Sequence, residues 1–261
     1  MKNMIRVLSI LLIFFCPLNL LALQFQAPGA VQQIPPITFT SNGAVASVQM
    51  SGSATGTYGS EQQTGAATLQ ASANGLSSVK LQFTGGSRLE TQNAFNETQR
   101  QCTWTSLDGT VHKSSSHQSW VDAIWFLPQI TMQAGAGAPD DSVSVTTSVD
   151  GKIRFHHERH PANVADQQTA YLLAHLSAVD LFVDSVTGLP ASMTFAAHPD
   201  DDAGIDLRVE IDYSGYNSFN GVTVPTHIQK FINNSLVLDI QISAVQVQFV
   251  SSAATPALTL Q

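Results

Sequence analysis

From Val48 to Tyr58 one phase of the chain reads Val48, Met50, Gly52, Ala54, Gly56, Tyr58, and the other Gln49, Ser51, Ser53, Thr55, Thr57. Two-residue alternation puts apolar side chains on one face of a strand and hydroxyls and amides on the other. The pattern returns at Ala67/Leu69/Ala71, at Val79/Leu81/Phe83 and at Val209/Ile211/Tyr213, where Arg208, Glu210 and Asp212 take the opposite face. Turn signals separate these runs: "ANG" at 73–75, "TGG" at 84–86, "TGLP" at 187–190 and "INN" at 232–234. Strands joined by short turns pair antiparallel, because parallel neighbours need long crossovers. The expected fold is mainly β: a curved antiparallel half-barrel sheet covered by one or two short helices.

Two details predict the curvature. Leu236, Leu238, Ile240 and Ile242 carry one phase and Val245, Val247 and Phe249 the other, so the strand changes face near Ala244. A bulge does this, and bulges bend sheets. Gly52, Ala54 and Gly56, followed by Ala67, Ala71 and Ala73, put small residues on the inward face, which leaves space for a covering helix or a ligand.

Two segments break the strand rhythm. "SWVDAIWFLP" (119–128) places Trp120, Ile124 and Leu127 on one helical stripe and stops at Pro128. "DQQTAYLLAHLSAVD" (166–180) opens on an Asp cap and aligns Leu172, Leu176 and Val179. The Gly/Ala run "QAGAGAPDD" (133–141) is too short for an interdomain linker. Residues 37–250 read as a single half-barrel domain, with an N-terminal tail at 24–36 and a C-terminal tail at 251–261.

Residues 1–23 read as a signal peptide. Lys2 and Arg6 precede an apolar run from Val7 to Cys16, Pro17 interrupts it, and Ala22 offers a small residue before a cut near Leu23 to Gln26. A membrane anchor would need about 20 largely apolar residues, and Pro17 and Asn19 sit badly in one. Phe15 stands where a lipobox before Cys16 would want a small residue, which argues against lipidation. The expected location is periplasmic or extracellular. The chain has 11 basic and 19 acidic residues and loses Lys2 and Arg6 with the leader. An acidic surface of this kind argues against nucleic acid as a partner. Cys102 is then the one remaining cysteine, so stability rests on a core and not on a disulfide.

Chemistry finds little support. "FHHERH" (155–160) lies near the H-E-x-x-H zinc pattern, but His157 and His160 are three apart instead of four. The segment alternates as a strand, which puts His156, Glu158 and His160 on one face and His157 and Arg159 on the other. "HPDDDAGID" (198–206) offers Asp200, Asp201, Asp202 and Asp206, yet lacks the Gly and Glu positions of an EF-hand loop. It reads as a hairpin loop whose Asp side chains bond their own backbone, with calcium in another geometry left open. There is no G-x-S-x-G, no P-loop and no dinucleotide fingerprint, and "RQCTWTS" puts Cys102 on a strand without a neighbouring base. The sequence therefore assigns no catalytic residue, no metal ligand and no cofactor.

Residues 180–249, about a quarter of the chain, carry a recognisable layout. "DLFVDSVTGLPASMTF", "VEIDYSGYNSFNGVTVPTHIQKF" and "LVLDIQISAVQVQF" succeed one another as strands and turns. The layout resembles the closing strands of bacterial periplasmic lipoprotein-carrier and lipoprotein-sorting proteins, and of secreted bacterial proteins with similar "HPDDDAG" and "VPTHIQK" segments. That resemblance implies an antiparallel half-barrel under covering helices. Those carriers begin with a helix and use an inward arginine, and neither has an assignable counterpart here. The expected function is non-catalytic binding of a lipid, acyl chain or other apolar small molecule in the concave face. The expected ligand-binding residues are Gly52, Ala54, Gly56, Trp120, Ile124, Trp125 and Leu127. The alternative is an envelope interaction or sensory module, in peripheral contact with the envelope, whose concavity its own side chains fill. Oligomeric state is open.

Overall fold

The computed structural model describes residues 45–250 apart from 73–75, 97–98, 115–117, 122–123, 129–140, 148–149, 161–163, 165, 200–201 and 203. The expected leader at 1–23, the expected tails at 24–36 and 251–261, and the first residues of the expected domain, 37–44, lie outside the described residues. Among the described residues no helix is long and apolar enough to cross a membrane.

The alternating runs form a long meander. β1 (Val45–Tyr58), β2 (Glu61–Ser72), β3 (Ser77–Phe83), β4 (Gly86–Asn96), β5 (Gln99–Thr105) and β6 (Val111–Lys113) pair in chain order. A second meander holds β7 (Asp141–Thr147), β8 (Lys152–Arg159), β9 (Val179–Asp184), β10 (Pro190–Ala197) and β11 (Leu207–Ser214). β12 (Asn217–Phe219) and β13 (Val222–Val224) make a separate small hairpin. β14 (His227–Ile232) then pairs with β11, and β15 (Ser235–Phe249) joins β14 to β1, fusing the halves into one 13-stranded antiparallel sheet. The sheet is large and curved and, among the described residues, does not close into a barrel, with β6 and β7 at the two ends of its strand order. The turn between β14 and β15 is made by Asn233 and Asn234, both at positive φ, as a tight hairpin requires.

The bulge lies where the phase changes. Ser51 pairs with Ala244 and Gly52 with Ile242, so Ser243 is the extra residue. Its hydroxyl donates to the Ser51 carbonyl at 3.3 Å. Inward side chains of both meanders, among them Met50, Leu69, Leu81, Met193, Ile211 and Ile240, make one continuous core.

Both helix expectations need adjustment. The first helix, α1 (Gln118–Val121), is only four residues long. Ile124 adopts φ 51°, outside the right-handed helical region, and Leu127 N–H donates to Ile124 C=O at 2.9 Å, so 124–127 form a turn. The Pro-terminated stripe over 119–128 is therefore not one helix. A β-branched residue holds this backbone only when packing over-determines it, and Ile124 is buried. The second helix, α2 (Gln167–Ser177), starts as expected, with the Asp166 carboxylate accepting from Thr169 N–H at 2.8 Å. Its buried face is Ala174, Leu176 and Ser177, whereas Leu172 is 44% exposed and Val179 already belongs to β9. The predicted Leu172–Leu176–Val179 stripe fails because the helix ends at Ser177 and docks on β8. There the Ser177 hydroxyl accepts from Arg159 N–H at 2.9 Å.

Candidate functional site

β6 and β7 lie at opposite edges of the sheet, so the chain between Lys113 and Asp141 has to travel from one edge to the other. The described part of that strap, Gln118–Val121 with 124–128, packs on the sheet's inward face. Val121, Ile124, Trp125, Phe126 and Leu127 join the same core as the inward strand residues. The topology thus makes the chain its own occupant of the concave face.

Polar residues anchor this occupant. Val79 pairs with Glu90, Leu81 with Arg88 and Ser77 with Gln92, so the row that is apolar on β3 turns charged on β4. Glu90 in turn stands opposite Trp104 of β5, and Trp104 opposite His112 of β6. Arg88 Nε donates to Glu90 Oε1 at 3.1 Å, and its guanidinium lies 4.9 Å from the centre of the Trp104 ring, which stacks on His112 at 4.0 Å. Trp125 Nε1 donates to Glu90 Oε2 at 3.3 Å, while Lys230 Nζ of β14 lies 4.9 Å from the centre of the same indole. From β11 the buried Tyr213 hydroxyl donates to Trp125 C=O at 2.5 Å. Burial pushes the Glu90 carboxyl up, but the Lys230 and Arg88 charges and the hydrogen bonds from Arg88 and Trp125 outweigh it and hold the group below the usual carboxylate range.

A cavity of about 170 Å³ remains between these groups, lined among others by Arg88, Glu90, Gln92, Trp104, Trp125 and Lys230. Gln92 is buried, and its Oε1 has no hydrogen-bond partner among the described residues. Ligand pockets for small molecules usually measure about 300–1,000 Å³ and are mostly apolar. With the strap in place, this space is too small and too polar for an acyl chain.

Of the residues expected to bind ligand, Ile124 and Trp125 line the cavity, and Leu127 is buried beside them in the core. Trp120 belongs to α1, but its side chain lies outside the described residues. Gly52, Ala54 and Gly56 are not in the lining. Gly52 and Gly56 do not leave open space. A Cβ on Gly52 would sit 1.9 Å from the Gln241 carbonyl oxygen of the paired strand β15. At Gly56 the space is taken by the Tyr58 and Phe83 rings, 2.8 and 2.9 Å from an added Cβ. Ala54 is buried between Gly65 and Ile240.

The "FHHERH" segment is β8, a strand. Glu158 lies 3.4 Å from His156 Nε2 and 2.7 Å from His160 Nε2, so these three share a face. His156 and Arg154 also bind Asp180 of β9, each at 2.7 Å. In the 198–206 loop Asp202 does bond its own backbone, accepting from Gly204 N–H at 2.9 Å. Asp200 and Asp201 lie outside the described residues. Asp206 instead meets two imidazoles, His175 of α2 and His198 after β10.

Sequence reading missed Arg88, Glu90 and Lys230. A signal existed for Lys230, which shares its phase with Ile228 and Ile232. In "SRLETQN" Leu89 pointed to the wrong inward phase; it is 37% exposed.

No family model matches the chain. No curated protein matches it either. Among solved structures it is similar to a putative outer membrane lipoprotein-sorting protein domain from Vibrio parahaemolyticus. The identity is 11%, with 78% of this chain and 86% of that one covered, at a TM-score of 0.45. A LolA superfamily protein from Nitrosomonas europaea gives 12% identity, 82% and 91% coverage and a TM-score of 0.45. A DUF1329 family protein from Desulfovibrio piger gives 12% identity, 80% and 88% coverage and the same TM-score.

Proposed function

We propose that the protein is an exported, non-catalytic carrier of an apolar chain with an acidic head group, and that the strap 118–128 holds its binding groove until ligand displaces it. One observation carries this reading: five apolar side chains outside the sheet, Val121 and Ile124 to Leu127, fill the inward face of a sheet that is not closed into a barrel among the described residues. Withdrawal of the strap would expose an apolar floor with Arg88, Glu90 and Lys230 above it, and the one cation in excess of Glu90 suits a carboxylate or phosphate head.

Magnitudes support an exchange. Burying each strap side chain contributes about 1.5–3 kcal/mol, or roughly 8–15 kcal/mol for five. An acyl chain of about 16 carbons contributes about 0.8 kcal/mol per buried methylene, or roughly 13 kcal/mol. The two occupants are matched, so ligand can compete with strap.

The small cavity favours a second reading, an envelope interaction module whose concavity stays filled. Native mass spectrometry of protein recovered from its own exported fraction separates the two. A co-purified lipid that detaches on denaturation supports the carrier, and ligand-free protein in that fraction supports the module.

A further inference from the structure

Away from the Glu90–Trp125 site, three side chains converge on one oxygen. His175 Nε2 lies 3.1 Å and His198 Nε2 3.0 Å from the same oxygen, Oδ1 of Asp206. The ligand atoms of all three residues lie within 4.8 Å of one another. They come from three places in the fold: the last turn of α2, the residue after β10 and the residue before β11.

We infer that His175, His198 and Asp206 form a binding site for a divalent first-row transition metal, with zinc the natural probe. Around a tetrahedral zinc ion with bonds of about 2.0–2.2 Å, neighbouring ligand atoms stand about 3.3–3.5 Å apart. Both nitrogen–oxygen separations lie within a few tenths of an ångström of that value, and the part-exposed His175 ring can swing to adjust the third. The His198 side chain is fully buried, and its backbone N–H donates to Gln118 Oε1 of α1 at 3.2 Å, which fixes this residue in place. The exposed sides of His175 and Asp206 leave an entry path and a fourth position for water.

The donor set selects the ion. Two imidazoles and one carboxylate suit zinc, copper, nickel or iron, whereas calcium takes six to eight oxygens. Asp202, the other described carboxylate of the loop, accepts from Gly204 N–H. The same turn that fails as a calcium loop thus delivers one carboxylate to two histidines. Ligation would staple α2 to the β10–β11 connection.

The test uses the chain purified without a histidine tag, stripped with a chelator and titrated with Zn2+ and Co2+. One equivalent should bind, raise the melting temperature and give the visible spectrum of cobalt in a nitrogen–oxygen site. Millimolar Ca2+ should not compete. Loss even of a group that only supports a metal ligand typically costs about 10–100-fold in affinity, so His175→Ala and Asp206→Asn should each cost at least that. Both residues are part-exposed, so these variants should keep the far-UV spectrum of the parent. His156→Ala with His160→Ala is the control and should change nothing. Absence of saturable binding overturns the site, as does binding that survives both ligand variants or disappears in the control.

Discussion

Glu90 and Lys230 meet at one indole although β3, β2, β1 and β15 separate their strands in the sheet. Glu90 accepts the Trp125 N–H and Lys230 stands against the ring. Strands in a sheet lie about 4.8 Å apart, so a flat sheet would hold β4 and β14 roughly 24 Å from each other. Contact with a shared side chain measures the curl directly, and Trp125 is the residue that spans it.

Replacing Glu90 by Gln should therefore loosen both halves at once. It leaves Arg88 and Lys230 without their shared carboxylate, at an expected cost of about 1–3 kcal/mol for a part-buried pair. Lys230→Met alone should cost less. The double variant should cost less than the two single losses combined, with a coupling of about 0.5–1.5 kcal/mol by urea denaturation. Additive losses would show that the two groups do not communicate through Trp125.

Acid should act through the same carboxylate. Its folded pKa is depressed, so the stability it contributes is present above the unfolded value of 4.5 and is lost as pH falls through the lower folded value. Stability measured from pH 6 downward should decline below about pH 4.5, and Glu90→Gln should flatten part of that decline. An identical acid profile in the variant would assign the loss to other carboxylates.

Tyr213→Phe keeps the ring in the core but leaves Trp125 C=O without its donor. The buried carbonyl should cost about 1–3 kcal/mol, read as a lower denaturation midpoint. If the strap is the groove's occupant, the same variant should also raise the rate at which Trp125 is quenched by acrylamide. A midpoint shift without a quenching change would mean that the bond supports the sheet and not the strap.

Gly52→Ala tests the close approach of β1 to β15. The added methyl would meet the Gln241 carbonyl oxygen at 1.9 Å, so β1 and β15 must separate or slip. The expected loss is at least the upper end of the usual overpacking range of about 1–3 kcal/mol. Ala54→Gly, its neighbour on the same face, should cost only about 1 kcal/mol, as a strand glycine does. Equal, small effects at both positions would mean that Gly52 does face open space.

The strands were legible because one face of each is buried, and two-residue alternation records that directly: Met50, Leu69, Leu81 and Ile211 all face inward as expected. The Ala244 phase change was legible for the same reason. The strap's course was not, because it depends on which strands become edges, and only the β1–β15 pairing decides that. Gly52 was misread because a small residue signals either space or a close backbone, and sequence cannot distinguish them. The His175–His198–Asp206 cluster left no spacing signal, since its members come from a helix, a strand end and a loop. Their convergence is a property of packing alone.

The most direct measurement of the central claim uses Trp125 as the sole tryptophan, after Trp104→Phe and Trp120→Phe, in a titration with a long-chain fatty acid below its critical micelle concentration. Trp125 is buried and gripped by Glu90, Lys230 and Tyr213 when the strap fills the groove. The account predicts saturable one-to-one binding, a red shift of the emission as the indole leaves the core, and faster quenching by acrylamide. Emission that stays blue and unquenched throughout, with no saturable binding, would contradict it and leave the concave face permanently occupied by the chain itself.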